Sequence, residues 1–141
     1  MNPRNLHNGF TLIEIMVVVV ILGVLGALIV PNVLPKVDQA KYDAAKADIA
    51  QIQTALGLYK LDNGKYPSTD QGLNALVEKP TGFPEPKNWG PEPYLPKTPV
   101  DPWDSPYYYF SEGNQIEVYT YGADGVEGGE GYDADLSSKD L

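Results

Sequence analysis

The chain has 141 residues, no cysteine and a formal net charge of −9. That length suits one domain plus an extension, and a composition 43 % apolar and 11 % aromatic is too rich for a disordered tail. The acidity argues against a nucleic-acid partner, which needs clustered Lys and Arg, and the missing cysteines exclude a disulfide framework, a thiolate metal site and a cysteine nucleophile.

Residues 1–9, MNPRNLHNG, are polar and carry Arg4 with no acid. They lead into an apolar run from Phe10 to Val30 whose 21 residues reach roughly 30 Å as a helix, enough to span a bilayer once. In an ordinary secretory signal the small cleavage-site residue follows the apolar core, whereas here Gly9 precedes it, so cutting there leaves the span attached. Arg4 before the span predicts a cytoplasmic leader and a translocated remainder. Glu14 stands inside the run, where a carboxylate costs on the order of 2.5 to 3.5 kcal/mol, and calls for a nearby cation.

Residues Gly9 to Glu14 read GFTLIE, which resembles the processing site of type IV pilins and type II secretion pseudopilins. The resemblance implies that a prepilin peptidase/N-methyltransferase removes residues 1–9 as a leader, cutting between Gly9 and Phe10 and methylating the new amine of Phe10. It also implies a cation for Glu14: the Phe10 amine of a neighbouring copy, which would make Phe10 and Glu14 the assembly pair. Losing Arg4 leaves nine basic against 19 acidic side chains, or −10.

Residues 31–62 read as an amphipathic continuation of the same helix. Pro31 and Pro35 predict a bend or a locally melted stretch. Beyond Val37 an apolar stripe of Ala44, Ala45, Ile49, Ile52, Leu56 and Tyr59 predicts the face packed on a following domain, with Lys41, Asp43, Lys46, Asp48, Gln51 and Lys60 opposite. Asn63 or Gly64 suits a left-handed C-terminal cap.

The globular part is expected over 63–141. Within 66–79, Ser68 or Thr69 caps a short helix through Leu73, Leu76 and Val77. The nine prolines spread over 80–106 exclude long elements there, and Phe83, Trp89, Tyr94, Leu95 and Trp103 are expected to pin that passage to the domain. Tyr107 to Phe110 and Ile116 to Tyr121, joined by SEGNQ, predict an antiparallel hairpin over 107–121. Residues 122–136 form an acidic glycine-rich loop whose carboxylates and bent carbonyls suit calcium, although no EF-hand order of ligands is present.

From YKLDNGKYPSTDQGLNALVEKP through DPWDSPYYYF to YGADGVEGGEGYDAD, the chain is similar to the G-type major pseudopilins of type II secretion. The fold so implied is α+β and type IV pilin-like: a long N-terminal α-helix, transmembrane in its first half, packed on a small C-terminal domain with a short antiparallel β-sheet and a calcium-binding loop. Carried over, the calcium ligands are the side chains of Asp124, Asp133 and Asp135, assisted by the carbonyls of Tyr121 and Val126. The function implied is that of a homopolymeric structural subunit of the periplasmic pseudopilus, anchored once in the bacterial inner membrane. Its expected partners are minor pseudopilins and inner-membrane secretion components. A type IV pilin forming a surface fibre is the alternative. No enzyme is expected: the single histidine, His7, falls in the leader, and no serine sits in a nucleophile motif.

Overall fold

The computed structural model describes residues 8–141, so Arg4, His7 and the rest of residues 1–7 lie outside it. In chain order the elements are α1 (Leu12–Asn63), a 3-10 turn at Leu73–Leu76, β1 (Tyr108–Glu112), β2 (Gln115–Thr120), a 3-10 turn at Gly131–Asp133 and β3 (Leu136–Ser137). The chain divides into two units, one up to Val37 and one from Asp38 to Leu141.

In the first unit α1 is helical without interruption through Pro31 and Pro35, so the melted stretch expected there does not form. Each proline removes one donor but already holds a helix-compatible φ, and the intact turns of Ile, Leu and Val around it keep the remaining hydrogen bonds. Every large apolar side chain from Phe10 to Val37 is exposed.

The second unit is built on the other half of α1. Ala45, Ile49, Ile52, Ala55, Leu56 and Tyr59 are buried and pack with Leu73, Leu76, Leu95, Tyr107, Tyr109, Val118 and Leu136. The 3.6-residue stripe thus sets the core, although Ala44 is exposed. The solvent side is less charged than expected: Asp43, Lys46 and Gln51 are exposed, but they share it with apolar and small residues. Ala47, Ala50, Thr54, Leu58 and Leu61 are exposed there, while the Asp48 carboxylate turns toward the domain and accepts a hydrogen bond from the Tyr107 hydroxyl (2.9 Å). Gly64 ends the helix at φ 82°, its N–H donating to the Lys60 carbonyl (2.7 Å), the left-handed cap that a residue without Cβ accepts at low cost.

After the helix, Ser68 and Gln71 form a reciprocal pair. The Gln71 N–H donates to Ser68 Oγ (3.1 Å) and the Ser68 N–H to Gln71 Oε1 (2.9 Å), which starts the turn leading to Leu73–Leu76. Thr69 is no cap; its hydroxyl donates to the Ser111 carbonyl (3.2 Å) and accepts from the Ser111 N–H (3.0 Å). It thereby covers part of the open edge of β1. The proline passage is pinned by Trp89, whose indole N–H donates to the Ala75 carbonyl (2.8 Å), and by the ring contacts Tyr59–Tyr94 and Trp89–Tyr94. Phe83 takes no part in this and stands exposed.

The sheet order is β1-β2-β3, all antiparallel. Tyr108 faces Tyr119 across the hairpin, and the turn is Gly113 and Asn114, with Gly113 at φ 62°. β3, which pairs Ser137 with Tyr119 and Leu136 with Thr120, was not foreseen. It is clipped to β2 from outside: Glu117 accepts from Ser137 Oγ (2.7 Å) and pairs with the Lys139 ammonium (2.6 Å). These two contacts hold the Glu117 carboxyl below the usual range, so the clip stabilises the fold above the ordinary carboxylate pKa and is lost as pH falls below it.

Asp101, 2 % exposed, ties the passage from Val100 to Pro106 onto β2. One carboxylate oxygen accepts the N–H groups of Trp103 (3.0 Å) and Ser105 (2.8 Å), and the other accepts the Thr120 hydroxyl. In β1, burial raises the Tyr109 hydroxyl to about 12, so it stays a donor to the Pro67 carbonyl (2.8 Å) at any physiological pH.

Candidate assembly segment and acidic loop

At the start of α1, Gly9 and Phe10 are exposed and precede the first helical residue, with Phe10 at 80 %. The scissile bond implied by the resemblance therefore lies just outside the helix, at exposed residues. Glu14 sits in the first turn of the helix, where its negative charge opposes the positive end of the helix dipole. It also has a partner within the chain. The Thr11 N–H donates to Glu14 Oε2 (3.4 Å) and the Glu14 N–H to Thr11 Oγ1 (3.3 Å), the reciprocal capping arrangement of a Thr-x-x-Glu sequence. That spacing is legible in TLIE. An ionised carboxylate has about four acceptor sites, so these long contacts leave room for an ammonium.

The acidic loop belongs to the second unit. Its neck is closed by the Ala123 N–H donating to the Tyr132 carbonyl (3.0 Å). Two glycines permit this closure: a Cβ on Gly122 would lie 2.7 Å from the Ala134 carbonyl oxygen, and one on Gly129 2.5 Å from that of Asp133. The Tyr132 hydroxyl donates to Gln39 Oε1 (3.3 Å) and its ring meets Tyr42 edge-on, centroids 6.2 Å apart, which holds the loop against the helix.

The three candidate ligand side chains are used differently from one another. Asp124 accepts the Val126 N–H (3.0 Å), closing a local turn. Asp135 takes the Gly128 N–H on both oxygens (3.1 and 3.0 Å). The Asp133 N–H donates to the Glu130 carbonyl (3.2 Å) and its own carbonyl packs under Gly129. Among the described residues no three Asp, Glu or His side chains converge on one point. The loop offers hard oxygens of the kind calcium takes, with the Asp124, Asp133 and Asp135 side chains not gathered at one point. The Tyr121 ring extends the aromatic row of the sheet, its centroid 4.7 Å from Tyr108 and 5.6 Å from Tyr119, and Val126 is 62 % exposed.

Comparison with known proteins agrees with this architecture. Residues 32–139 match the family model described as type II secretion system (T2SS), protein G, and residues 4–30 match the prokaryotic N-terminal methylation motif. The type II secretion system core protein G of Pseudomonas aeruginosa PAO1 is 58 % identical over 139 residues, covering 97 % of this chain and 98 % of that protein. The protein of the same name from Vibrio cholerae serotype O1 is 50 % identical over 140 residues, covering 98 % and 95 %. Among solved structures, the major pseudopilin from the type 2 secretion system of enterohaemorrhagic Escherichia coli superposes with a TM-score of 0.67 at 37 % identity, covering 79 % of this chain and 96 % of that one. These matches run through the globular part as well as the leader motif, and so favour the pseudopilin reading over a surface pilin. The chain belongs to the type II secretion system protein G family, the major pseudopilins.

Proposed function

We propose that the chain is the repeating subunit of a periplasmic pseudopilus, anchored in the bacterial inner membrane, whose polymerisation drives export of folded proteins across the outer membrane. The observation that carries this is the first half of α1, where a continuous helix leaves every large apolar side chain from Phe10 to Val37 uncovered. Such a helix requires lipid before assembly and other helices after it. A prepilin peptidase/N-methyltransferase cuts between Gly9 and Phe10, and the resulting ammonium pairs with Glu14 of the adjoining copy. Minor pseudopilins and inner-membrane secretion components are its partners, and no catalytic step is assigned to the chain itself. Deleting the gene in its host is expected to leave folded exoproteins stalled in the periplasm, restored by the full-length chain. Unchanged export in the deletion strain would contradict the proposal.

Calcium binding by residues 122–136 belongs to the same proposal and rests on chemistry rather than on a formed cage. The loop holds Asp124, Glu127, Glu130, Asp133 and Asp135 with no basic residue, and hard oxygens of this kind suit calcium. An ion bound only by the folded loop would stabilise the domain by linkage. Chelating calcium from the domain beginning at Asp38 is therefore expected to lower its melting temperature and to open the chain beyond Tyr121 to protease. If neither changes, the closure described above suffices without metal.

A further inference from the structure

Toward its C-terminal end, the face of α1 turned away from the core carries an exposed, mostly apolar patch. Gly57 leaves a gap between Thr54 and Leu61, and together with Leu58 and Tyr66 these residues bound a shallow groove of about 620 Å³. Leu58 is 51 % and Leu61 81 % exposed. Close by, Phe83 is 84 % exposed, with the Lys65 ammonium 5.7 Å from its ring centroid. The loop that presents this ring is pinned, because the Gln71 side-chain amide donates to the carbonyls of Thr81 (3.2 Å) and Pro84 (3.0 Å). Lys60 lines this groove, and Lys65 and Lys87 line a neighbouring cavity with Phe83 and Glu85, three cations against one carboxylate on a chain of −9.

Exposed apolar groups flanked by an excess of lysines select a partner that brings apolar contact and carboxylates together. This chain carries such a segment at the other end of the same unit. In the acidic loop, exposed Val126 stands between Asp124 and Glu127, with Glu130 following. Tyr132 fastens that loop beside Gln39 and Tyr42, and Gln39 and Leu61 are roughly 33 Å apart along a helix rising 1.5 Å per residue. Two unlike, complementary surfaces at opposite ends of a unit make a heterologous contact, which stacks copies head to tail instead of closing a dimer.

We infer that the Val126 loop of one copy seats on the Leu58, Leu61 and Phe83 surface of the next, its carboxylates facing Lys60, Lys65 and Lys87. The inference deepens the pseudopilus reading and rests on it. Because the chain has no cysteine, the contact can be tested in full-length chains assembled with the secretion components. Val126→Cys combined with Leu61→Cys is expected to give, on mild oxidation of the fibres, a ladder of covalent multimers, while each substitution alone gives none. Fibres at normal yield that carry both substitutions and form no ladder overturn the contact and leave polymerisation standing. Absence of fibres from the unsubstituted chain overturns the pseudopilus reading and the contact with it. Should the cysteine pair itself block assembly, charge decides. Lys65→Glu with Lys87→Glu is expected to lower fibre yield about tenfold, as opposed charges become like. Adding Glu127→Lys and Glu130→Lys to the same chain is expected to restore it; no loss, or loss without restoration, overturns the contact.

Discussion

Glu14→Ala is expected to leave the chain inserted in the membrane and cleaved, while fibre yield falls by about two to three orders of magnitude. The estimate follows from breaking an ion pair in a low-dielectric bundle, which costs about 3 to 5 kcal/mol because the surviving charge is left uncompensated. Glu14 also caps its own helix through Thr11, a contribution of about 1 kcal/mol, and the two roles separate cleanly. Glu14→Gln keeps an acceptor for the Thr11 N–H and removes the charge, so it should fail almost as badly as alanine. Thr11→Ala removes the cap and keeps the charge, so it should assemble with only a modest deficit. Fibres recovered from the cell envelope and quantified against cleaved monomer provide the measurement. Wild-type yield from Glu14→Gln would remove the ion pair from the account.

The largest effect on stability is expected at Asp101. Asp101→Ala strips the Trp103 and Ser105 amides and the Thr120 hydroxyl of their acceptor in a site only 2 % exposed, and each buried polar group so stranded costs about 1 to 3 kcal/mol. A total of about 3 to 5 kcal/mol would lower the melting temperature of a domain this size by on the order of 15 to 30 °C. Asp101→Asn keeps the shape but turns one acceptor into a donor facing other donors, so it should recover only part of the loss. Thermal denaturation of the domain beginning at Asp38 checks this. A melting temperature within a few degrees of wild type for Asp101→Ala would show that Val100 to Pro106 stays closed by its backbone alone.

The parts of the fold legible in the sequence are those specified by local periodicity. Ile49, Ile52, Leu56 and Tyr59 recur at helical spacing and are buried together, Gly64 takes the left-handed cap, and the run from Tyr107 to Tyr121 becomes a hairpin with its turn at Gly113 and Asn114. What escaped depends on pairing between distant segments. Leu136 and Ser137 form a strand only because Thr120 and Tyr119 lie beside them, and two residues carry no alternation to detect. Asp101 reads as one more turn residue in a proline-rich stretch until β2 brings Thr120 to it. The continuous passage through Pro31 and Pro35 shows apolar turns on either side outweighing two lost donors. Leu58 and Leu61, absent from the core stripe, belong to a second apolar face that a simple division into buried and charged sides hides.

The candidate site was legible unevenly for the same reason. Gly9, Phe10 and Glu14 form a linear motif, and their placement at an exposed helix start follows from sequence order alone. Asp124, Asp133 and Asp135 are three acids in a flexible-looking loop. Which of their oxygens face inward is decided by the Ala123 to Tyr132 neck and by backbone packing under Gly122 and Gly129, none of which composition reveals.

Intact-mass and N-terminal peptide mass spectrometry of the protein purified from membranes or fibres bears most directly on the account. The expected mature chain starts at Phe10 with a methylated amine. A chain that still carries Met1 to Gly9 would supply no ammonium beside Glu14, and assembly through that pair would be contradicted.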